Sequence, residues 1–394
     1  MRNKHKILRI ISSLDPKYGG PQAGILSSSN QLIKEGFKVD ILTLDKKKIN
    51  YPKKKFRIIN FNSYIGKNYK FSLKLFFWIL KHQKNYDLFL IHGLWQFNTL
   101  LARVLLKKKY YVFIHGQLDP FFSFNFFKSI KKKIYWFLIE KSNLKNSKSI
   151  LLTTDQEKKL IKKTYVNTDG INKKVVKYGI LRDKINKKEC LKLFYSKFKN
   201  LKNKQFYLYL GRYHEKKGCD IIIKSIKKLS KNFQSCILMA GPLNDTSYEK
   251  YLRNLINKNN LQDKIVMTDA LFNKIKWGAI IASRGMFLAS HGENFGISVV
   301  ESLSMKKPVI ITNKVNIHNY VLKYNAGYIA LNNTESFSNK IDKFENIGGQ
   351  ELFKMSNNAF KCFEENFNIS NKANGLGKFL KNEILKKNNN EQIF

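Results

Sequence analysis

One stretch, residues 290–303, lies between two apolar runs and constrains the local fold. The runs are Met-Phe-Leu-Ala at 286–289 and Pro-Val-Ile-Ile-Thr at 308–312, so the order is strand, glycine-containing loop, short helix, strand. This is a βαβ unit. In open α/β sheets, ligands lie beyond the carboxyl ends of the strands. A helix that begins near Gly296 points unpaired backbone N–H groups at that space, so the loop is predicted to hold an anion.

Two carboxylates, Glu293 in the loop and Glu301 on the helix, follow the spacing Glu-x7-Glu before the Pro-Val strand. This motif resembles the donor site of the retaining, nucleotide-sugar-dependent glycosyltransferases of family 4, which have the GT-B fold. The Glu-Asn-Phe-Gly version resembles a branch that acts on bacterial surface polysaccharides. The resemblance implies that Glu293 lies against the donor sugar and Glu301 binds the ribose hydroxyls, while the backbone of Phe295 and Gly296 approaches sugar and diphosphate. The alternative is a helix-capping Glu293 and an ordinary helix-surface Glu301.

The length of 394 residues exceeds what one hydrophobic core usually serves, so two domains are expected. The resemblance implies an α/β protein in which two Rossmann-like domains face each other across a cleft. The predicted N-terminal acceptor domain is 1–183, and the nucleotide-sugar donor domain is 200–366. A C-terminal helix, 367–384, is expected to cross back to the first domain, and 385–394 is expected to be a disordered tail.

The formal charge of +45 comes almost entirely from lysine. A lysine and asparagine bias from an AT-rich genome would explain much of it as solvated surface. Basic faces also bind anionic lipid or nucleic acid. An anionic membrane surface is therefore retained as a possible partner of this chain, whereas binding to nucleic acid is not expected. No apolar run has the length of a signal peptide or a membrane span, so the protein is expected in the cytoplasm, with peripheral attachment to the inner face of the cell membrane left open.

Two apolar strands deliver histidines at their carboxyl ends, in His92-Gly93 and in His115-Gly116. The second continues as His-Gly-x-Leu-Asp-Pro, which again resembles family 4. The resemblance implies that His115 contacts the donor sugar and that Asp119 serves the acceptor side or acts as general base. A purely structural histidine at a strand end is the alternative.

The first βα loop contains Gly19 and Gly20. Paired glycines let the backbone come close to a ligand, and in the resembled family this loop lies beneath the donor diphosphate and the acceptor. An ordinary tight turn explains the pair equally well.

The second half opens with an apolar strand and a Gly-Arg-x4-Lys-Gly pattern, which resembles the diphosphate grip of the family and maps onto Arg212 and Lys217. When a glycosyl bond to a nucleoside diphosphate breaks, negative charge develops on the departing phosphate, and fixed cations stabilise that charge. No Asp-x-Asp or other metal-ligand spacing occurs, so no cofactor and no metal are expected.

Two stretches, 67–84 and 121–141, mix lysines with aromatic and aliphatic residues. Such segments can lie on a membrane, pack as helices with lysine stems along the sheet, or stack on single-stranded nucleic acid. The segment 121–141 is the preferred membrane contact, since it would suit lipid-linked acceptors.

The predicted reaction is transfer of a sugar from a nucleotide-sugar to a hydroxyl of a glycan or lipid-linked acceptor, with retention of configuration, in bacterial lipopolysaccharide/O-antigen, capsule or exopolysaccharide synthesis. Retention comes from the resemblance alone. The alternatives are a sugar-nucleotide epimerase or phosphorylase of the same fold, a basic nucleic-acid-binding protein, and a catalytically silent protein with the same shell.

Overall fold

The structure, a computed structural model, describes residues 5–15, 20–45, 55–62, 64–66, 68–120, 126–182, 185–370 and 375–391. The chain divides into two compact units. Unit 1 comprises Met1–Leu181 and Ile369–Phe394, and unit 2 comprises Arg182–Asn368. No helix in the described residues is both long and apolar enough to cross a membrane.

Unit 1 is built on a seven-stranded sheet of order β3-β2-β1-β4-β5-β6-β7, in which all pairings are parallel. Its central strands are mostly apolar because both faces of the sheet are covered. The strand order reverses between β1 and β4, the place where open sheets bind ligands. The strands are β1 Lys6–Ile11, β2 Lys38–Thr43, β3 Arg57–Asn60, β4 Leu88–His92, β5 Tyr110–Phe113, β6 Ser149–Leu152 and β7 Lys173–Val175.

Helices connect these strands, and some of them bury an apolar stripe against the core. In α2, for example, Leu75 and Ile79 face the core at the i, i+4 spacing, and Ser72 caps the first turn. A π-helical turn, Trp136–Glu140, joins α4 to α5. The helices are α1 Gly20–Lys34, α2 Leu73–His82, α3 Phe97–Leu105, α4 Phe126–Tyr135, α5 Lys141–Lys145 and α6 Asp155–Ile161, with a 3-10 turn at Gln83–Asn85.

Unit 2 has a six-stranded parallel sheet of order β10-β9-β8-β11-β12-β13. Its order reverses between β8 and β11. Two parallel Rossmann-like sheets confirm the predicted fold class. The strands are β8 Phe206–Leu210, β9 Cys236–Ala240, β10 Ile265–Thr268, β11 Gly285–Leu288, β12 Val309–Thr312 and β13 Gly327–Ala330.

Unit 2 begins earlier than position 200, where the sequence analysis placed its start. Residues 185–199 are mostly helical, and Gly278 of the facing helix lies so close that an added Cβ would be 2.2 Å from the carbonyl oxygen of Cys190. The buried side chains of Cys190 and Phe194 explain the attachment. The helices are α7 Lys187–Lys197, α8 Cys219–Lys228, α9 Ser247–Lys258, α10 Asn273–Ala282, α11 Ile297–Ser304, α12 His318–Lys323, α13 Thr334–Glu345 and α14 Gly349–Asn366, with 3-10 turns at Lys199–Leu201 and Glu215–Lys217.

The last helix, α15 Leu376–Glu391, belongs to unit 1, and its bounds differ from the 367–384 of the sequence-based prediction. Leu380 and Ile384 are buried in the unit 1 core, and Glu383 accepts hydrogen bonds from Tyr111 Oη at 2.7 Å and Lys174 Nζ at 2.9 Å. Residues 385–391 of the predicted disordered tail are helical, because a helix that packing has already nucleated extends at little cost. Residues 392–394 lie outside the described residues.

Gly218 allows two loops of unit 2 to touch through their backbones. It precedes α8 with φ +64°, a left-handed conformation that L side chains rarely adopt. A Cβ at this position would lie 2.0 Å from the carbonyl oxygen of Ala289, directly after β11. The loop after β8 can therefore reach the loop after β11 only if this residue is glycine.

We expect Gly218→Ala to destabilise the protein by about 2–4 kcal/mol, since it adds left-handed strain to a backbone clash. Urea unfolding of the variant and the parent measures the difference. Gly349→Ala is the matched control, because a Cβ there meets no atom within 4 Å. Equal loss in both variants, or none in either, would contradict the assigned role of Gly218.

Candidate functional site

The strongest group of predicted site residues lies where the strand order of unit 2 reverses. The loop after β8 carries Lys216 and Lys217, and the loop after β11 carries residues 290–296. The two loops are joined by hydrogen bonds to the carbonyl oxygen of Lys216, from His291 N at 2.8 Å and from Ser290 Oγ at 2.7 Å. Both loops therefore occupy one end of the sheet, as the βαβ prediction required.

Lys217 Nζ and the carboxylate of Glu293 form an ion pair within this group. Their side chains are 19% and 18% exposed. Burial alone would raise the pKa of Glu293, but the charge and hydrogen bond of Lys217, the charge of Lys216 and a backbone hydrogen bond at Gly296 hold it below its usual range. Glu293 is thus an ionised, positioned acceptor beside a cation.

The backbone at Glu293 is held by the segment that follows β12. Glu293 N donates to Lys314 O at 3.0 Å, and Asn316 N donates to Glu293 O at 2.9 Å. Thr312 Oγ1 donates to Ser290 O at 2.5 Å. This carboxylate therefore sits on a loop fixed on both sides and does not depend on its own side-chain contacts for its place.

Gly296 is the residue before α11 and has φ +69°. It confirms the predicted helix start, and the helix that follows is Ile297–Ser304. The first N–H groups of a helix have no partner inside it and favour an anion. The side chain of Phe295, by contrast, is only 5% exposed and packs edge-on against Phe367 at 5.7 Å. Phe295 can therefore contact a ligand only through its backbone.

Glu301 lies on α11 and is 7% exposed. Its Oε1 is 2.6 Å from Lys276 Nζ of α10. Lys276 carried no sequence signal, since it is one of many lysines in a lysine-rich chain. The pair holds the Glu301 carboxylate in one orientation.

Arg212 lies two residues after the end of β8, and its carbonyl oxygen accepts a hydrogen bond from Tyr209 Oη at 2.7 Å. The residue is exposed, and its side chain makes no ion pair with any residue the structure describes. The backbone is thus anchored while the guanidinium is left available to a ligand.

Unit 1 brings together His92, the last residue of β4, and His115, two residues after the end of β5. Nδ1 of His92 is 3.0 Å from Nε2 of His115. His115 has φ +48°, and the next residue, Gly116, has φ +72° and donates its N–H to Glu157 Oε1 at 2.9 Å. Arg9 Nε lies 3.2 Å from His92 Nε2, a contact that the sequence analysis did not foresee.

The structure gives fewer contacts for the other predicted site residues of unit 1. Asp119 lies in the turn after β5, where its N–H donates to Gly116 O at 3.1 Å. Gly20 is the first residue of α1, and Gly19 lies outside the described residues. Within the described part of the chain, no group of three or more His, Cys, Asp and Glu side chains could hold a metal ion.

Comparison with known proteins adds matches over most of the chain. Residues 18–173 match the family model described as Glycosyltransferase Family 4, and residues 194–362 match Glycosyl transferases group 1. An uncharacterized glycosyltransferase of Methanocaldococcus jannaschii, MJ1178, is 29% identical over 176 residues, which are 44% of this chain and 47% of that protein. The chain therefore spans less than half the length of this curated relative.

Solved structures resemble almost the whole chain at low identity. Sucrose-phosphate synthase from Thermosynechococcus elongatus has a TM-score of 0.75 at 16% identity over 98% of this chain and 99% of its own. Anabaena HepE in complex with UDP and glucose has a TM-score of 0.72 at 14% identity, covering 97% and 100%. WaaG, a glycosyltransferase involved in lipopolysaccharide biosynthesis, has 0.66 at 15%, covering 91% and 95%.

These structural similarities show the fold, and the two matched models supply the family for each unit. The chain belongs to the family 4 glycosyltransferases of the GT-B type.

Proposed function

We propose that the chain transfers a sugar from a nucleotide-sugar to a hydroxyl of a glycan or lipid-linked acceptor, with retention of configuration. The observation that carries the proposal is the Lys217–Glu293 pair beside the start of α11, at the point where the unit 2 sheet reverses its order. A cation, a carboxylate and free helix N–H groups in one place suit a diphosphate joined to a polyhydroxylated sugar.

In the proposed reaction, the cations act on the leaving group. Negative charge grows on the departing phosphate as the glycosyl bond breaks, and Arg212 and Lys217 would stabilise that charge together with the first N–H groups of α11. Glu293 would accept hydrogen bonds from sugar hydroxyls, and Glu301 from the ribose. His115 would contact the sugar, and Asp119 would serve the acceptor side, both carried over from the family resemblance.

The pathway and the nucleotide are proposed from the relatives. HepE was crystallised with UDP and glucose, and WaaG is involved in lipopolysaccharide biosynthesis. Together with the Glu-Asn-Phe-Gly loop, these similarities support a uridine diphosphate donor and a role in lipopolysaccharide/O-antigen, capsule or exopolysaccharide synthesis. We also propose that the nucleotide-sugar binds without a divalent metal ion. The proposed location of the protein is the cytoplasm.

Isothermal titration with UDP, GDP and CMP in EDTA tests the donor site. We expect one nucleotide, UDP, to bind selectively. Arg212→Ala should weaken that binding by about tenfold to a hundredfold, because it removes a charge-assisted hydrogen bond to phosphate.

Arg103→Ala is the matched control, since Arg103 is also an exposed arginine but lies on α3 of unit 1. Equal weakening in both variants would mean a general charge effect. Strong, salt-sensitive oligonucleotide binding with no response to any nucleotide would replace the proposal by the nucleic-acid alternative.

Retention is tested on the product. We expect the anomeric configuration of the transferred sugar, measured by proton NMR coupling, to equal that of the donor. An inverted product would disprove the retaining mechanism. Release of an altered sugar without an acceptor, or a requirement for inorganic phosphate, would identify the epimerase or the phosphorylase alternative.

We also propose that unit 1 contacts an anionic membrane surface. Support comes from exposed apolar side chains beside lysines on α2 and on the segment from α4 through the π-helical turn. The most exposed are Leu73 at 56%, Phe77 at 61%, Phe137 at 80% and Leu138 at 65%. Such side chains would enter the lipid interface while the lysines meet the headgroups.

Vesicle sedimentation tests this contact. We expect binding to vesicles containing phosphatidylglycerol and a loss of about tenfold or more on joint Phe137→Ser and Leu138→Ser substitution, because their burial in lipid is removed. Phe353→Ser is the control, since Phe353 is 70% exposed on unit 2. Unchanged binding of the double variant would remove these side chains from the contact.

A further inference from the structure

The guanidinium of Arg9 is buried in unit 1 without a carboxylate partner. Arg9 lies on β1 and has no exposed surface. Its Nη1 donates to three acceptors on α1, namely Ile25 O at 3.1 Å, Ser28 Oγ at 2.7 Å and Ser29 Oγ at 2.9 Å. Among the described residues it forms no ion pair, and Nη2 makes no hydrogen bond. Burying an uncompensated cation is costly, so an apolar residue would serve the core better unless the group has a task.

Arg9 fixes the hydrogen-bonding roles of His92. Its Nε is 3.2 Å from His92 Nε2, and a guanidinium can only donate. Nε2 of His92 therefore accepts, so the ring proton of the neutral imidazole lies on Nδ1. That Nδ1 is 3.0 Å from Nε2 of His115, to which it donates.

The same logic assigns the proton of His115. Its Nε2 accepts from His92, so the neutral ring carries its proton on Nδ1. Nδ1 makes no hydrogen bond with any residue in the described part of the chain. The only ring nitrogen that His115 can offer a ligand is therefore an N–H donor.

The electrostatic setting agrees with two neutral rings. Burial and the Arg9 charge, together with His115, lower the pKa of His92 well below its usual range. Burial, with Arg9 again, lowers the pKa of His115 to about 3. Among the described residues, the phenol of Tyr178 also acts on Arg9, and burial raises the pKa of that phenol, which keeps it neutral. A carboxylate lies on the other side of His115, where Glu157 Oε1 accepts the backbone N–H of Gly116 at 2.9 Å.

The ring of His115 is also held in place. It stacks near Phe113 at 5.7 Å and lies edge-on to Tyr178 at 6.4 Å. Its φ of +48° is uncommon for a residue with a side chain, and such conformations persist where the surroundings enforce them, often at functional sites.

We infer that Arg9 and His92 are positioning residues that fix His115 as a neutral Nδ1–H donor, directed to a hydroxyl oxygen of the transferred sugar, and prevent it from acting as a general base. The identity of the ligand rests on the proposed function, whereas the proton assignment does not. The proton that the acceptor hydroxyl loses must then leave through a group other than His115.

The test is the tautomeric state of the two rings, read from long-range proton–nitrogen spectra of protein labelled with 15N-histidine. His92→Phe and His115→Asn assign the signals. We expect both rings to be neutral Nδ1–H forms throughout the range of about pH 5.5 to 8, because the usual histidine pKa of about 6.5 is suppressed.

Arg9→Met should release this arrangement. We expect a mixture of tautomers at both rings, and a ring pKa that moves up toward the ordinary value of about 6.5. Ser29→Ala is the matched control, because it removes one partner of Arg9 and leaves Nε in place. Its spectra should match those of the parent.

Two results would overturn the inference: an Nε2–H form of His115 in the parent, or unchanged rings in Arg9→Met. If Arg9→Met does not fold, His92→Phe decides. In the parent, the rings of His92 and Phe113 stack with centroids 5.2 Å apart, and a phenylalanine at position 92 keeps an aromatic ring there. The substitution removes the N–H that donates to His115, so His115 should lose its preference for the Nδ1–H form. The spectra need no ligand, so a failed UDP titration would refute the proposed function and leave this result standing.

Discussion

The ion pair between Lys217 and Glu293 joins the two loops that form the candidate site of unit 2. Its members come from the loops after β8 and β11, neighbouring strands at which the sheet order reverses. The pair can form because Gly218 lets one backbone approach the other. A diphosphate entering here would supply new anionic partners for Lys217, and Glu293 could then turn to neutral hydroxyls. Under the proposed function, the same groups would compensate each other without a ligand and bind the donor when it arrives.

Much of this arrangement was predictable because the information is local. The apolar runs around residues 290–303 gave the βαβ unit, and Gly296 gave the start of α11, which the structure confirms. The partners of these residues were not predictable in the same way. Lys276 meets Glu301 because two helices face each other, and neither the spacing nor the composition of a lysine-rich chain distinguishes it from other lysines. Only the family resemblance linked Lys217 to Glu293 before the fold was known.

The errors at element boundaries have a common cause. Residues 185–199 are rich in lysine, and residues 385–391 are rich in lysine and asparagine. The sequence analysis placed the first segment between the two domains and the second in a disordered tail. Both are mostly helical because a few apolar side chains, such as Phe194 and Ile384, attach the helix to a core. Tertiary packing contributes most of the stability of such helices, and composition alone does not report it.

Arg9 is a charged residue inside the apolar run of β1. That sequence pattern marks it as unusual, although our sequence-based predictions did not include it. Its chemistry explains why an arginine is suited to this position. A carboxylate behind a histidine accepts the ring proton and strengthens the far nitrogen as a base. A guanidinium reverses that polarity, because it donates to the first ring and so forces the proton of each ring toward the outer side. Two histidines in series then end in an N–H donor, which suits a sugar hydroxyl and excludes proton abstraction at His115.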